Sequence, residues 1–183
     1  MKKLFTKKTF AIAVFVIAMV VFCISRFGYF DKSSDLIDGA SVIFVDVGQG
    51  DCEIIRLADG RNILIDAGTD EGEDKLVRKI KDYGIKKFDV VIATHPHEDH
   101  IGGMDEVIDS FDIGCVYMPD VVTTTKTFEK LLDSIENKNL KVHKAKAGVS
   151  VIDEENISMV FVAPNSDEYE DLNNYSAVLK FTY

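Results

Sequence analysis

Residues 95–100 read His-Pro-His-Glu-Asp-His, which gathers three of the chain's four histidines into six positions. The segment follows a short apolar run, Phe88-Asp-Val-Val-Ile-Ala-Thr94, and precedes the pair Gly102-Gly103. A short, β-branched apolar run of this kind predicts a buried strand. In α/β proteins, chemistry gathers where such a strand gives way to a loop. Imidazole nitrogens completed by a carboxylate oxygen are the donors that borderline metals take. Side chains alternate along an extended segment, so His95 and His97 project the same way and suit one ion. Asp99 and His100 come after the chain has begun to turn and face a second point nearby. The pattern therefore predicts two adjacent metal positions. A lone histidine is usually a solvated residue, but this density between a buried strand and two glycines is hard to assign to chance.

The rest of the chain supplies a domain around that segment. Val42 to Val47 predicts a strand, Gly48-Gln-Gly50 a turn and Cys52 to Leu57 a second strand. Asp59-Gly60 is a hairpin signal leading into a third strand to Asp66. These form a three-stranded antiparallel opening. Residues 73–83 carry a helical apolar stripe at positions 76, 77, 80 and 83, which Gly84 ends. After the histidine segment, residues 101–111 and 124–137 read as helices. Strands are expected at 114–118, 140–144, 150–152, 157–163 and 177–183. Residues 164–174 form an acidic loop. Strands first and strand–helix alternation afterwards indicate helices layered on a sheet, an α/β arrangement. Cys52 and Cys115 fall in strand-like runs and read as buried core thiols rather than a disulfide framework.

The N-terminus has a different character. Phe10 to Ile24 is uninterruptedly apolar, with Lys2, Lys3, Lys7 and Lys8 before it and Arg26 after it. This predicts a basic cytoplasmic tail (1–9), a single-pass signal-anchor helix (10–30), a tether (31–39) and a domain (40–183) held outside the cell membrane. The alternative is secretion after signal cleavage. Residues 1–30 hold five of the 21 basic residues and none of the 31 acidic ones, so the remainder carries a net charge of −15 against −10 for the whole chain. Such a domain repels polyanions at long range, which counts against tight non-specific binding to nucleic acid. It leaves room for a phosphodiester at a metal centre, where the ions supply local positive charge. Nothing in the sequence sets an oligomeric state.

The segment 95–100 resembles the HxHxDH signature of the metallo-β-lactamase fold. Ahead of it stand Asp46-Val-Gly-Gln-Gly-Asp51 and Leu64-Ile-Asp-Ala-Gly68, and this three-motif order is similar to the metallo-β-lactamase-like domain of ComEC-type competence proteins and their stand-alone extracellular relatives. The resemblance implies an αβ/βα sandwich, of which this chain spans little more than the first half, one sheet with its helices. It implies up to two ions, Zn²⁺ with Mn²⁺ as the alternative, on His95, His97, Asp99 and His100, with Asp99 also catalytic. On sequence alone Asp66 is a turn carboxylate; the resemblance implies that it orients the histidine loop. Asp51 reads as a turn residue that the family places at the metal edge, and Asn174 and Ser176 stand where other members have a further histidine. Asp46 reads as structural, Glu98 as a helix-start residue and His143 as a surface residue. The family's bridging Asp and last ligand would lie beyond Tyr183.

Two function classes follow. One is a metallo-hydrolase acting on a small-molecule or polymer ester, a phosphodiester foremost. The other is a non-catalytic remnant or ligand-binding module. With one half of a sandwich present, the inner face of the sheet, Val42–Val47 and Val90–Ala93 included, is expected to lie largely uncovered and to favour self-association.

Overall fold

The computed structural model describes residues 39–183. The basic tail, the apolar segment at 10–30 and all but the end of the tether lie outside the described residues. Among the described residues no helix is long and apolar enough to cross a membrane.

Strands β1 (Ser41–Phe44), β2 (Glu53–Arg56) and β3 (Asn62–Ile65) form the expected antiparallel opening. The β2–β3 turn is closed by Asp59, whose carboxylate accepts from the Arg61 amide at 2.9 Å. Three parallel strands extend the sheet: β4 (Lys87–Ile92), β5 (Asp112–Met118) and β6 (Val142–Lys144), in the order β1-β2-β3-β4-β5-β6. Parallel neighbours need crossovers. These are supplied by α1 (Glu73–Asp82), by α2 (Glu98–Ile101) with α3 (Met104–Ser110), and by α4 (Lys126–Asn137). Helix α4 starts on Thr125, whose hydroxyl accepts from the Phe128 amide. The helix expected over 101–111 is two pieces, because the chain breaks at Gly102-Gly103.

All the crossover helices lie on one face. Leu76 and Ile80 of α1, Val107 and Ile108 of α3, and Phe128 and Leu131 of α4 pack against Ile54, Leu64, Val91 and Val116. Each such side chain contributes roughly 1.5–3 kcal/mol by leaving water.

The opposite face corrects the expectation of an uncovered half-sandwich. A second, antiparallel sheet of β7 (Ser150–Glu154), β8 (Ile157–Ala163) and β9 (Val178–Thr182) lies over it. Met159 and Phe161 bury themselves against Ile63, Val90, Ile92 and Tyr117. The cover stops short of β1, where Val42 and Phe44 remain 45% and 77% exposed. Ile152 of β7 and Leu179 and Phe181 of β9 pack with Met159 and Phe161 in this cover, so all three strands contribute to it.

The pairing registers set one row of side chains across this inner face: Phe44, Glu53, Ile65, Ile92, Tyr117 and His143. His143 is therefore not a plain surface residue. It is half-buried and stacks on Tyr117, with ring centroids 4.8 Å apart. Cys52 and Cys115 are free thiols; Cys52 is buried, which pushes its thiol up to about 12, whereas Cys115, expected in the core, is only half-buried.

Candidate metal centre

Strands β3 and β4 are parallel neighbours, so the chain leaves both at the same end of the sheet. Asp66 follows β3 there, and Thr94 to His100 follow β4. Asp66 is almost fully buried and adopts a left-handed backbone, φ 53°, a conformation Asp tolerates better than most residues. Its amide donates to Ile92 O and the next amide donates to His100 O, which ties the two strand ends together.

The Asp66 carboxylate accepts three hydrogen bonds. Oδ1 takes the Thr94 amide at 2.8 Å, and Oδ2 takes the Thr94 hydroxyl at 2.6 Å and His100 Nδ1 at 2.7 Å. These contacts settle the state of both rings. A carboxylate only accepts, so His100 carries its proton on Nδ1. The single Thr94 hydroxyl proton goes to Asp66, so His95 Nδ1, 3.1 Å away, is the donor to Thr94 Oγ1. In the neutral rings both Nε2 atoms are left as lone pairs. The Asp66 bond lifts the His100 pKa above the usual histidine value, while burial and then the neighbouring His100 push His95 below it.

His95 Nε2 is buried and has no partner. His100 lies with its ring centroid 4.1 Å from that of His95, and the His97 centroid lies 4.8 Å from that of His95. Asp99 Oδ2 approaches His100 Nε2 at 3.9 Å. The four sequence-predicted ligands are thus brought side by side, although among the described residues no three His, Cys, Asp or Glu side chains converge closely enough to grip one ion as they stand. An orphaned imidazole nitrogen beside a carboxylate and two further imidazoles fits a metal in donor chemistry.

Glycine allows the loops to close on one another. A Cβ on Gly50 would lie 1.7 Å from Asp99 O, and one on Gly102 would lie 2.3 Å from Asp70 N and 2.5 Å from Glu98 O. The Asp51 amide donates to Asp99 O, while its carboxylate, 64% exposed, stands 3.8 Å from His100 Nδ1. Asp51 is therefore at the edge of the cluster. Asp46 caps the turn by accepting from the Gly48 amide, and Glu98 starts α2 while accepting from the Asp70 amide.

The cluster opens into a cleft of about 360 Å³ between the two sheets. His95, His100, Asp51, Asp66, Glu53 and Ser176 line it, with Ala177 to Leu179 as its apolar wall. Ala177 is pinned there by donating to Thr94 O at 2.8 Å. Ser176 reaches the cleft, with its hydroxyl donating to Asn173 O; Asn174 is exposed and outside the lining.

Sequence reasoning missed two participants. Thr94 carries the contact between Asp66 and His95. Glu53 is half-buried in the cleft, and its carboxyl is raised to about 7, by burial first and then by Asp66 and Asp51. A signal for Glu53 was present: it shares strand parity with Ile55 and Leu57, both buried, and a carboxylate in a core-facing row is anomalous.

The metallo-beta-lactamase superfamily profile matches residues 45–168, and the chain belongs to that superfamily. It is 25% identical over 155 residues to ComE operon protein 3 of Bacillus subtilis (strain 168), covering 75% of this chain and 20% of that protein. The chain thus spans about a fifth of the length of this relative. Among solved structures it is similar to a peroxy diiron species of the chemotaxis sensor ODP, with a TM-score of 0.50 and 16% identity over 68% of this chain and 49% of that one. A motif mutant of the metallo-beta-lactamase from Cronobacter sakazakii gives a TM-score of 0.48 and 14% identity, over 68% of this chain and 53% of the other.

Proposed function

We propose that this superfamily member is a metal-dependent hydrolase domain cleaving an ester, a phosphodiester foremost, outside the cell membrane. The observation that carries the reading is the buried, unpartnered Nε2 of His95, left as a lone pair by the Thr94–Asp66 hydrogen-bond chain. His95 and His97 would hold a first ion and Asp99 and His100 a second, zinc suiting the donors and manganese the alternative. Bound there, metal supplies polarisation of a substrate oxygen and activation of water.

The protein's own part is positional. Asp66 keeps the His100 proton on Nδ1 and, through Thr94, does the same for His95, so neither ring must change tautomer to present Nε2. Asp99, with a side chain 39% exposed, is the accessible carboxylate beside His100, and we assign it the catalytic task of taking a proton from water. Ala177 to Leu179 form the apolar wall of the cleft. A small ester suits a cleft of this size better than a nucleic acid polymer does, given the acidity of the domain. The apolar, lysine-preceded segment at 10–30 supports tethering with the domain outside, or secretion if that segment is cleaved.

Zinc and manganese titration of the full chain, paired with a phosphodiesterase assay, tests the reading. Metal uptake with turnover is expected. Uptake of one ion or none, without turnover, would instead favour a ligand-binding module. Loss of the first ion is expected in His95→Ala and in His97→Ala, and wild-type stoichiometry in either would sink the ligand assignment. Protease added to intact cells should degrade the chain beyond about residue 31; full protection would rule out the external location.

A further inference from the structure

Strand β1, Ser41–Phe44, is an edge of the six-stranded sheet and carries no charged side chain. Exposed edges are commonly blunted with charge, lysine above all. In this otherwise highly charged domain the open rim presents Val42 and Phe44 instead, 45% and 77% exposed. Strand β9 is an edge of the second sheet, and Tyr183, just past its end, is 58% exposed. A Cβ on Gly39 would lie 3.8 Å from the Tyr183 ring, so the chain enters β1 beside the end of β9.

Gly39 is also the last residue of the tether. The nine residues 31–39 reach at most about 30 Å when fully extended. So short a tether keeps its end close to whatever the apolar segment enters, and a weak apolar contact made from that end is effectively intramolecular. Aromatic rings beside aliphatic side chains suit the boundary between lipid headgroups and acyl chains. The free edge of β1 keeps unpaired backbone polar groups, which hydrocarbon does not tolerate, so such a contact stays shallow. A second copy of the chain could cover the same side chains, but it would gain nothing from the tether.

We infer that Val42, Phe44 and Tyr183 form a membrane-contact surface that seats in a lipid bilayer at headgroup depth. The inference rests on the proposed tethering of the domain through residues 10–30. Such a contact holds the domain at a second point besides the anchor and fixes which edge of the domain meets lipid.

The chain contains no tryptophan, so a single introduced one reports its own surroundings. Phe44→Trp, Tyr183→Trp, Val122→Trp and, in the apolar segment, Phe15→Trp are each made in the full chain. Each is reconstituted into phosphatidylcholine vesicles with and without bromine on the upper part of the acyl chains. Val122 is 80% exposed and follows β5, four strands from β1 and so roughly 19 Å away across the sheet. Bromine should quench Phe15→Trp. It should quench Phe44→Trp and Tyr183→Trp at least about twofold, with a blue shift, and leave Val122→Trp unchanged. Thermal melts verify that every variant folds. Quenching of Phe15→Trp without quenching at the two rim positions would overturn the contact and leave the tether standing. A blue shift at the rim without bromine quenching would mean that protein covers it, and would also overturn the contact. Equal quenching of Val122→Trp and the rim reporters would do the same. Quenching at the rim with none at Phe15→Trp would sink the tethering and leave the contact standing, and no quenching anywhere would sink both.

Discussion

On one face of the six-stranded sheet, Leu64, Val91 and Val116 lie fully buried beneath α1, α3 and α4. On the other, Ile63 and Ile92 are as deeply buried beneath β7–β9, yet Phe44 in the same row as Ile92 is mostly exposed. The helix-covered side half-buries a carboxylate, Asp105 of α3, one of whose oxygens is buried without a partner. The sheet-covered face leaves a gap at its β1–β3 side, and that gap holds Glu53 and opens onto Asp66, His95 and His100. Helices follow the strand pattern closely and can close a face completely, whereas a three-stranded sheet is narrower than the six strands beneath it. Stability and chemistry are thereby assigned to opposite faces of one sheet.

The largest expected effect tests that division directly. Ile80→Ala on the helix side should lower unfolding free energy by about 3 kcal/mol, within the range for a fully buried aliphatic residue. Metal stoichiometry of the folded fraction should be unchanged. Denaturant melts and metal titration measure the two, and loss of metal without loss of stability would mean that the faces are not separable.

Asp66→Asn acts where the faces meet. Asparagine tolerates the left-handed backbone, so the change is chemical. It puts an amide NH₂ where three donors already point. About 2 kcal/mol of stability should be lost, and metal affinity should fall by about 10–100-fold as both histidines lose their orientation. Zinc affinity equal to wild type by calorimetry would remove Asp66 from the site.

Glu53→Gln should move stability the other way. The folded-state value of about 7 lies above the ordinary 4.5, so folding favours the protonated acid. The contribution to stability is fully present below about 4.5, is lost as pH rises through about 7, and is flat above that. In chelated protein at pH 8, Glu53→Gln should therefore be more stable than wild type by on the order of 1 kcal/mol, after discounting for its half-exposed position. Melting temperatures from pH 4 to pH 8 should show the wild type losing this increment and the variant keeping it; parallel profiles would contradict the assignment.

The smallest effect is expected at the open end of the row. Phe44→Ser should change stability by less than about 0.5 kcal/mol, because the ring has little burial to lose. A loss several times larger would mean that the gap is covered in solution, which sedimentation would show as self-association.

Much of this was legible in the sequence. The strand ahead of His95, the antiparallel opening, the α1 stripe and the break after Tyr83 follow from local periodicity and from glycine, which act within a few residues. The turn-forming character of Gly102-Gly103 was foreseeable from the pair itself, but their close approach to the Asp70 and Ala67 backbones was not, because those belong to another loop. The β7–β9 cover was misread for a related reason: Met159 and Phe161 show which strand face is apolar, and not what that face will meet.

The sequence by itself determined the donor set, since residue identity and close spacing decide which atoms a metal can find at 95–100. It also determined the helix-covered core through its apolar periods. Only the tertiary structure decided the tautomers of His95 and His100, the pairing of Glu53 with Phe44 and the position of the cleft. Each of these depends on which strands become neighbours and in what register. Asp66 and Thr94 stand 28 positions apart in the chain and meet only because β3 and β4 run parallel. Register is a property of two segments together, set by the packing of both faces, and neither segment carries it alone.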